Sequence, residues 1–430
     1  MANKSGMGVL SLAAIGIGGM VGGGIFAVLG LSVQLAQGGA PVAFLLGGVV
    51  TLLTAYAYAR LTVSLPSRGG TVAFLNAAFG SGLFSGTLNI LLWISYIVML
   101  ALYASAFGSY GASFFSPARA TLAKHLLLSG AVLAITVLNA LRADLIGRAE
   151  DFIVAIKLLI LLAFVAIGFT QVHASAVAPS TWASPLGLVS GGMIIFLAYE
   201  GFELIANAAE DAANPARDMP RAFFGSVIFV IALYVLVATV TVGSLPVAKI
   251  VAARDYALAE AARPTMGQAG FALIAFAALL STASAINATL YGAARLSFTI
   301  AKSGELPAVL EKNVWHKPLE GLLVTSVATL LLANLFDLTS ISLMGSAGFL
   351  LLFAAVNLAN VKLAARTKSR AWISWLGLAA CAAAFVVLVG HVVATDPVKA
   401  TTLAAMLGLS FLVEAAYRAV RGKGIHVHQV

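Results

Sequence analysis

The feature that most limits what this chain can become is a recurrence of apolar runs close to twenty residues long, separated by short polar connections. A helix needs about twenty predominantly apolar residues to cross the roughly 30 Å hydrocarbon layer of a bilayer. Read this way, the sequence predicts twelve spans, near 8–36, 41–64, 82–112, 121–139, 146–170, 186–208, 219–244, 265–301, 319–336, 339–361, 371–393 and 399–418. Three of them exceed a straight crossing, so tilt or extension beyond the bilayer is expected. A soluble domain is excluded: only 10% of the residues are charged, against about 25% in soluble chains. With no water in the bilayer to satisfy backbone groups, spans of this kind must be helical. The expected fold class is therefore an all-α polytopic membrane protein.

Charge then sets orientation and excludes other partners. The net charge is +9, but no basic stripe interleaves with aromatics outside the apolar runs, so nucleic acid is not an expected partner. Instead the lysines and arginines fall in alternate connections. Placing the N-terminus inside puts eighteen of them on the cytoplasmic side and six outside (Arg119, Lys124, Lys249, Arg254, Arg263 and Lys399), leaving Lys157 alone within a span. That asymmetry predicts cytoplasmic N- and C-termini in a multi-pass protein of the cytoplasmic (inner) membrane. The stretch after Lys4 is long and glycine-rich with no small-residue cleavage site, so no cleavable signal is expected. The single cysteine, Cys381, sits in an apolar run and reads as a buried thiol. No Cys/His cluster has metal-ligand spacing, so neither metal nor cofactor is expected, and no obligatory protein partner is evident.

Two connections carry content. Residues 60–80 contain Phe74 and Phe79, placed to let a short helix lie against the bundle, and residues 246–263 are amphipathic. The latter fit a lid over the outer face or a plain surface helix equally well.

The sharpest local signal is loss of helical support inside two spans. The first reads AAIGIGGMVGGGIFAVLG, with Gly22, Gly23 and Gly24 consecutive. Each glycine weakens a helix by roughly 1 kcal/mol relative to alanine. Small residues also serve close helix packing, but packing needs one per turn, so a local break at Gly22–Gly24 is predicted. The sixth span reads FLAYEGFELIANAAED, with Gly201 between Glu200 and Phe202 and with Glu203 next. Two carboxylates at bilayer depth cost at least ~2–3 kcal/mol each on insertion scales and must face a cavity or a partner. Interrupted helices opening each of two five-helix halves point to a transporter binding site. Freed N–H groups at such a break attract a carboxylate and freed C=O groups an ammonium, a combination that suits an α-amino acid.

These residues resemble the amino acid–polyamine–organocation superfamily of permeases. The matching stretches are GIGGMVGGGIF (16–26), FLAYEGFELIANAAEDAANPARDMPRA (196–222), LLSTASAINATLYGAARL (279–296) and AKSGELP (301–307), while GRAEDFIVAIKLLILL (147–162) is similar to the sodium-independent, proton-coupled amino-acid transporter branch. The resemblance implies a LeuT-like arrangement within one transmembrane domain spanning 1–430: a first five-helix repeat over 8–170, an inverted second repeat over 186–361, and two extra helices over 371–418. It implies substrate held between broken helices 1 and 6, with Gly22, Gly23 and Gly24 offering backbone to a carboxylate. Carbonyls around Phe196–Tyr199, Glu200 and Gly201 would take the amino group. Ser95 and Tyr96 would line the pocket, and Phe202 would act as an aromatic gate. The chain departs from the family in having Gly23 where a serine or alanine is common, and Glu200 where the family is usually apolar.

Lys157 lies about eleven residues into its span, or ~16 Å at helical rise, close to the midplane. It is either a snorkelling or structurally paired lysine or a proton-carrying amine; a stem of about 6 Å makes snorkelling from that depth difficult. The resemblance implies the second role, with Gly18 and Ser281 as neighbours and Thr282 and Ser284 as the matching hydroxyls of the eighth span. Glu203 is expected to accept from freed N–H groups at the break. Glu200 is evenly balanced between contacting substrate, where it would favour cationic ligands, and not. Asn287 is open between an interhelical contact and pocket lining. Glu150 and Asp151 are expected to pair with Arg148 at the interface, and Glu210, Asp211, Arg217 and Arg221 to form a cytoplasmic charge network.

The function these expectations favour is proton-coupled, sodium-independent uptake of amino acids by alternating access, with amino acid and protons as the small-molecule partners. A polyamine or basic amino-acid carrier or exchanger is the nearest alternative. A membrane receptor or an intramembrane enzyme is remote, because the spans hold no nucleophile–base or metal constellation and no connection is long enough for a signalling domain.

Overall fold

The computed structural model of the chain describes residues 6–142, 147–302 and 319–421. Among these residues the fold is helical, with two isolated β-bridges, Met7 to Ala212 and Gln37 to Trp182, as the only strand-like pairings. In chain order the helices are α1 (Val9–Met20), α2 (Gly24–Ala36), α3 (Ala40–Ser64), α4 (Gly70–Phe79), α5 (Leu83–Ala112), α6 (Pro117–Arg142), α7 (Gly147–Gly168), α8 (Pro185–Ile194) and α9 (Pro215–Ser244). They continue as α10 (Val247–Ala253), α11 (Ala257–Ala261), α12 (Arg263–Lys302), α13 (Leu319–Leu335), α14 (Leu338–Lys362), α15 (Ala364–Thr367), α16 (Ala371–Thr395) and α17 (Pro397–Arg421).

Nine of the described helices are long and apolar enough to cross a bilayer unaided. Two more crossings are supplied by bent pairs, α1 with α2 at 49° and α8 with the 3₁₀ segments Phe196–Tyr199 and Phe202–Asp211 at 50°. The chain is thus an all-α polytopic membrane protein. At the ninth expected span stands α13, a shorter apolar helix of 17 residues.

Helix α5 is the central post. Tyr96, Tyr103 and Tyr110, each two turns further along it, are all buried, and it packs against α6, α12, α13, α14 and α17. By contrast α6, α16 and α17 turn apolar side chains outward, among them Leu126, Val137, Trp372, Val386 and Leu412. Apolar residues facing out and hydroxyls and amides facing in is the pattern lipid imposes, because helix association there rests on close packing and polar contacts rather than on water exclusion. Such contacts recur between spans: Asn357 Nδ2 donates to Thr54 Oγ1 at 3.0 Å, and Asn360 Nδ2 to Ser374 Oγ at 2.8 Å. Cys381 is buried against Thr54, its sulfur 3.5 Å from Oγ1.

Both content-bearing connections are structured. Helix α4 packs Phe74 edge-on against Tyr58, ring centres 6.0 Å apart, and Phe79 against Phe84 at 4.9 Å. Residues 247–261 form α10, a 3₁₀ turn at Arg254–Tyr256 and α11, which bury Ile250 and Leu258 and pack on α2 and α5. The charge network after the sixth span differs from expectation. Glu210 and Asp211 both pair with Arg68, each at 3.3 Å, because the 60–80 connection folds beneath them, and Arg217 pairs with Asp218 at 2.7 Å. The side chains of Arg148, Glu150 and Asp151, and most of the AKSGELP stretch, lie outside the described residues.

Candidate functional site

The two bent pairs meet in the middle of the bundle. Helix α1 stops at Met20, residues 21–23 form a turn, and α2 starts at Gly24. In the sixth span, α8 ends at Ile194, Glu200 is extended, and Gly201 adopts φ +110°, a left-handed value that favours glycine. A ten-residue 3₁₀ helix follows. Such runs rarely exceed three or four residues and mark strained or functional segments.

Breaking a helix in a low-dielectric interior frees backbone groups that need partners. Here other spans supply them. Ser281 on α12 donates to the Val21 carbonyl at 2.9 Å and also lies against that of Gly22. The Tyr234 hydroxyl on α9 sits 2.6 Å from the Met20 carbonyl and 3.1 Å from that of Ala198, within reach of both broken helices. Ser342 and Ser346 on α14 reach the Ile194 carbonyl at 2.6 and 3.0 Å, and Ser346 Oγ accepts from the Leu197 N–H at 3.2 Å. At the turn itself the Gly201 N–H donates to Glu203 Oε2 at 2.8 Å, the role expected of Glu203.

A cavity of about 250 Å³ lies beside this junction, walled by α1, α5, α7, α12 and the Glu200–Leu204 turn. Tyr103, Glu200 and Ser284 give it polar side chains, and Gly18, Gly19 and Ala285 keep it narrow. Ala14, Ile15, Val154 and Leu204 are only partly buried at its mouth, which faces the end of the bundle from which α1 starts. The opposite end is covered by the α10–α11 segment lying on α2.

Of the residues expected at a substrate site, the structure brings Glu200 and Gly201 to this wall, and Gly18 and Ser284 from the expected coupling group. It does not bring the others. Gly23 faces the Tyr103 ring and Gly24 faces Ala198, so the glycine run serves close approach one turn beyond the cavity. Ser95 is buried facing Gly348, and the Tyr96 hydroxyl reaches Glu203 Oε1 at 3.4 Å. The Tyr199 hydroxyl donates to the Phe44 carbonyl at 2.7 Å. Phe196 and Phe202 both pack edge-on against Phe353, with ring centres 5.8 and 5.3 Å away, and Phe202 also packs on Tyr58 and Phe223. Thr282 turns its hydroxyl back to the Ala278 carbonyl of its own helix, and Ser281 is taken up by the α1 break. Asn287 accepts from Asn139 Nδ2 at 2.7 Å, an interhelical contact.

Lys157 is 1% exposed, and its Nζ donates to the Gly18 carbonyl at 3.0 Å, in the last turn of α1. A cation at a helix C-terminus is favoured by the partial negative charge collected there. Tyr103, Tyr234, Ser342 and Ser346 escaped the sequence reading. A hydroxyl inside an apolar helix carries no sign of which neighbour it will cap.

The sequence matches the model of a family described as amino acid permease over residues 7–412. An uncharacterized protein of Methanocaldococcus jannaschii, MJ0609, is 38% identical over 81% of this chain and 80% of its own length. The inner membrane transport protein YbaT of Escherichia coli is 34% identical, with 83% of each chain covered. The branched-chain amino acid permease BcaP of Bacillus subtilis is 27% identical over 84% of this chain and 81% of its own.

Proposed function

The chain belongs to the amino acid permease family, and from that premise we propose that it takes up amino acids across the cytoplasmic membrane by proton-coupled, sodium-independent alternating access. Relatives over most of the length are transporters and permeases, so this is an amino-acid transporter in a membrane and not an enzyme. The coupling is the further step. One observation carries it, the hydrogen bond from buried Lys157 to the Gly18 carbonyl at the edge of the cavity.

A protonated Lys157 ties α7 to the last turn of α1, one wall of the cavity. Neutral Lys157 loses the charge that the helix end favours, which frees α1 to swing relative to α7. A ligand shifts a two-state equilibrium only as far as its affinities for the states differ, and a proton on this amine changes the strength of its contact with α1. The amine lies behind the Gly18 wall as a fixed cation of the protein's own, which supports sodium independence. With the N-terminus cytoplasmic, as the lysine and arginine asymmetry argues, the mouth beside Ala14 and Ile15 faces the cytoplasm and the α10–α11 segment closes the outside. The moving bodies are then two inverted repeats, over 8–170 and 186–361, with the helices of 371–418 outside the exchange.

The test is uptake of labelled amino acids into proteoliposomes under imposed gradients. An inward proton gradient should stimulate accumulation and an inward sodium gradient should not. Accumulation driven by sodium alone would overturn the coupling assignment, and no uptake of any amino acid would overturn the function.

A further inference from the structure

We infer, on the reading that this cavity carries the substrate, that Glu200 is the counter-charge for the substrate's ammonium, and that the site accepts small primary amines whether or not they bear a carboxylate. Carbonyls that an interrupted span would present to an amino group are engaged here from within: Ile194 by Ser342 and Ser346, Ala198 by Tyr234, Val21 by Ser281. The Ile195 and Leu197 carbonyls accept from the Ala198 and Glu200 N–H groups. With these five carbonyls already engaged, an acidic side chain in the wall is the stronger partner for a cation.

Two carboxyl groups compete for that role, and the geometry separates them. Glu203 is committed, with Oε2 on the Gly201 N–H and Oε1 near the Tyr96 hydroxyl. Glu200 is 3% exposed, forms part of the cavity wall, and takes the Tyr103 hydroxyl at 3.3 Å on one oxygen. Tyr103 is itself in the wall, so it fixes the carboxyl at the edge of the empty space. Glu200 and Glu203 are both buried on this one turn, and like charges sharing a buried site need a compensating cation. An ammonium in the cavity meets that need directly.

The rest of the wall explains why the carboxylate end of a substrate matters less. Among its described residues none is Lys or Arg, and Glu200 is the one carboxyl. The first turn of α2 contributes no residue to the wall, Gly23 packing on the Tyr103 ring and Gly24 on Ala198. An α-carboxylate entering the cavity meets the hydroxyls of Ser284 and Thr289 but no positive group. At about 250 Å³ the space is below the roughly 300–1,000 Å³ of drug-sized sites, so the amine must be small.

The experiment uses the full purified chain and three amines, L-alaninamide, ethylamine and putrescine, with propionate as the carboxylate lacking an amine. Binding is read as a ligand-dependent rise in unfolding temperature, and transport as inhibition of labelled L-alanine counterflow. At least one amine should stabilise the wild type and propionate should not; Glu200→Gln should weaken that amine at least tenfold, and Glu203→Gln should not mimic it. Stabilisation by propionate but by none of the amines overturns the inference, as does equal amine binding by wild type and Glu200→Gln. If Glu200→Gln fails to fold, the wild-type contrast between amines and propionate decides alone. The two readings fail separately. Amine binding through Glu200 without any solute movement removes the transport reading and leaves the amine site. Alanine counterflow untouched by all three amines removes the amine site and leaves transport.

Discussion

Gly19 and Gly201 meet backbone to backbone where the two broken helices cross: a Cβ on Gly201 would stand 2.5 Å from the Gly19 carbonyl carbon, and one on Gly19 would stand 2.9 Å from the Gly201 Cα. No side chain fits between them. This contact brings the end of α1 against the Glu200–Gly201 turn, and it sets the width of the cavity that both residues wall.

Gly201→Ala should therefore be among the most damaging single-methyl changes in the chain. Its φ of +110° strains any residue with a Cβ by roughly 1–2 kcal/mol, and overlap in a packed interior adds about 1–3 kcal/mol. The expected result is a lowered unfolding temperature and more than tenfold loss of uptake. Gly225→Ala on α9, where the new methyl meets nothing within 4 Å, should be neutral or slightly stabilising. Paired thermal melts and uptake assays check it, and equal behaviour of the two variants would refute the contact's importance.

Tyr234→Phe isolates the hydroxyl that joins the two breaks. It leaves the ring packed on Tyr199 and Phe44 but deprives the Met20 and Ala198 carbonyls of their shared partner. Interhelical hydrogen bonds in membranes are worth about 0.6–2 kcal/mol, so a modest fall in thermal stability is expected. The fall in uptake should exceed what that stability loss explains, because both mobile half-helices lose one anchor. A variant with unchanged uptake would show the hydroxyl to be dispensable.

What the sequence revealed, and what it hid, follows from the kind of interaction involved. The breaks were legible because three consecutive glycines at membrane depth cannot hold a helix, and because Glu200 and Glu203 at that depth demand a cavity or partner. Lys157 was legible for the same reason, since one charge stands out where almost none are allowed. The partners of the freed carbonyls were not. Tyr234 lies on α9 among valines and leucines, and only the fold brings it beside Met20 and Ala198. The same limit hid the partner of Ser281, whose hydroxyl goes to the Val21 carbonyl. It also explains Gly22–Gly24, whose lack of side chains was expected to expose backbone to substrate. In the fold the same lack makes room for the Tyr103 ring and the Ala198 backbone.

Lys157→Ala tests coupling apart from binding. The substitution removes the donor to the Gly18 carbonyl and, on the proposed mechanism, the site where the proton acts. Gradient-driven accumulation should be lost at least tenfold, while counterflow at equal pH on both sides should persist. If accumulation survives under a proton gradient, coupling resides elsewhere. If counterflow is lost as well and the protein melts normally, Lys157 belongs to the binding site instead.

The far end of the bundle gives a prediction whose sign can be worked out from its charges. Lys124, Asp255, Arg254, Asp337, Lys399 and Asp396 form a continuous chain with contacts of 2.8, 3.6, 3.8, 3.7 and 3.2 Å, tying the α10–α11 segment to α6, α14 and α17. Partial burial works against the Asp337 charge, but the Ser340 hydroxyl and N–H and the Lys399 and Arg254 charges hold its carboxyl below the ordinary carboxylate range. The Lys399 N–H and ammonium do the same for Asp396. A lowered acid favours the closed arrangement fully above the ordinary carboxylate value, near ~4, and that contribution is lost only as pH falls through the lower folded value. Closure at this end should therefore be flat between about pH 5 and 8 and weaken in stronger acid. Cysteine placed at Ser109, which contacts Asp255 at 3.1 Å, reports it, because the native Cys381 is buried. Its labelling, normalised to an exposed control cysteine, should not change over that range, and Asp337→Asn should speed it several-fold. Acceleration between pH 8 and 5 would mean that this chain senses the proton. A flat profile leaves acid stimulation of uptake to Lys157.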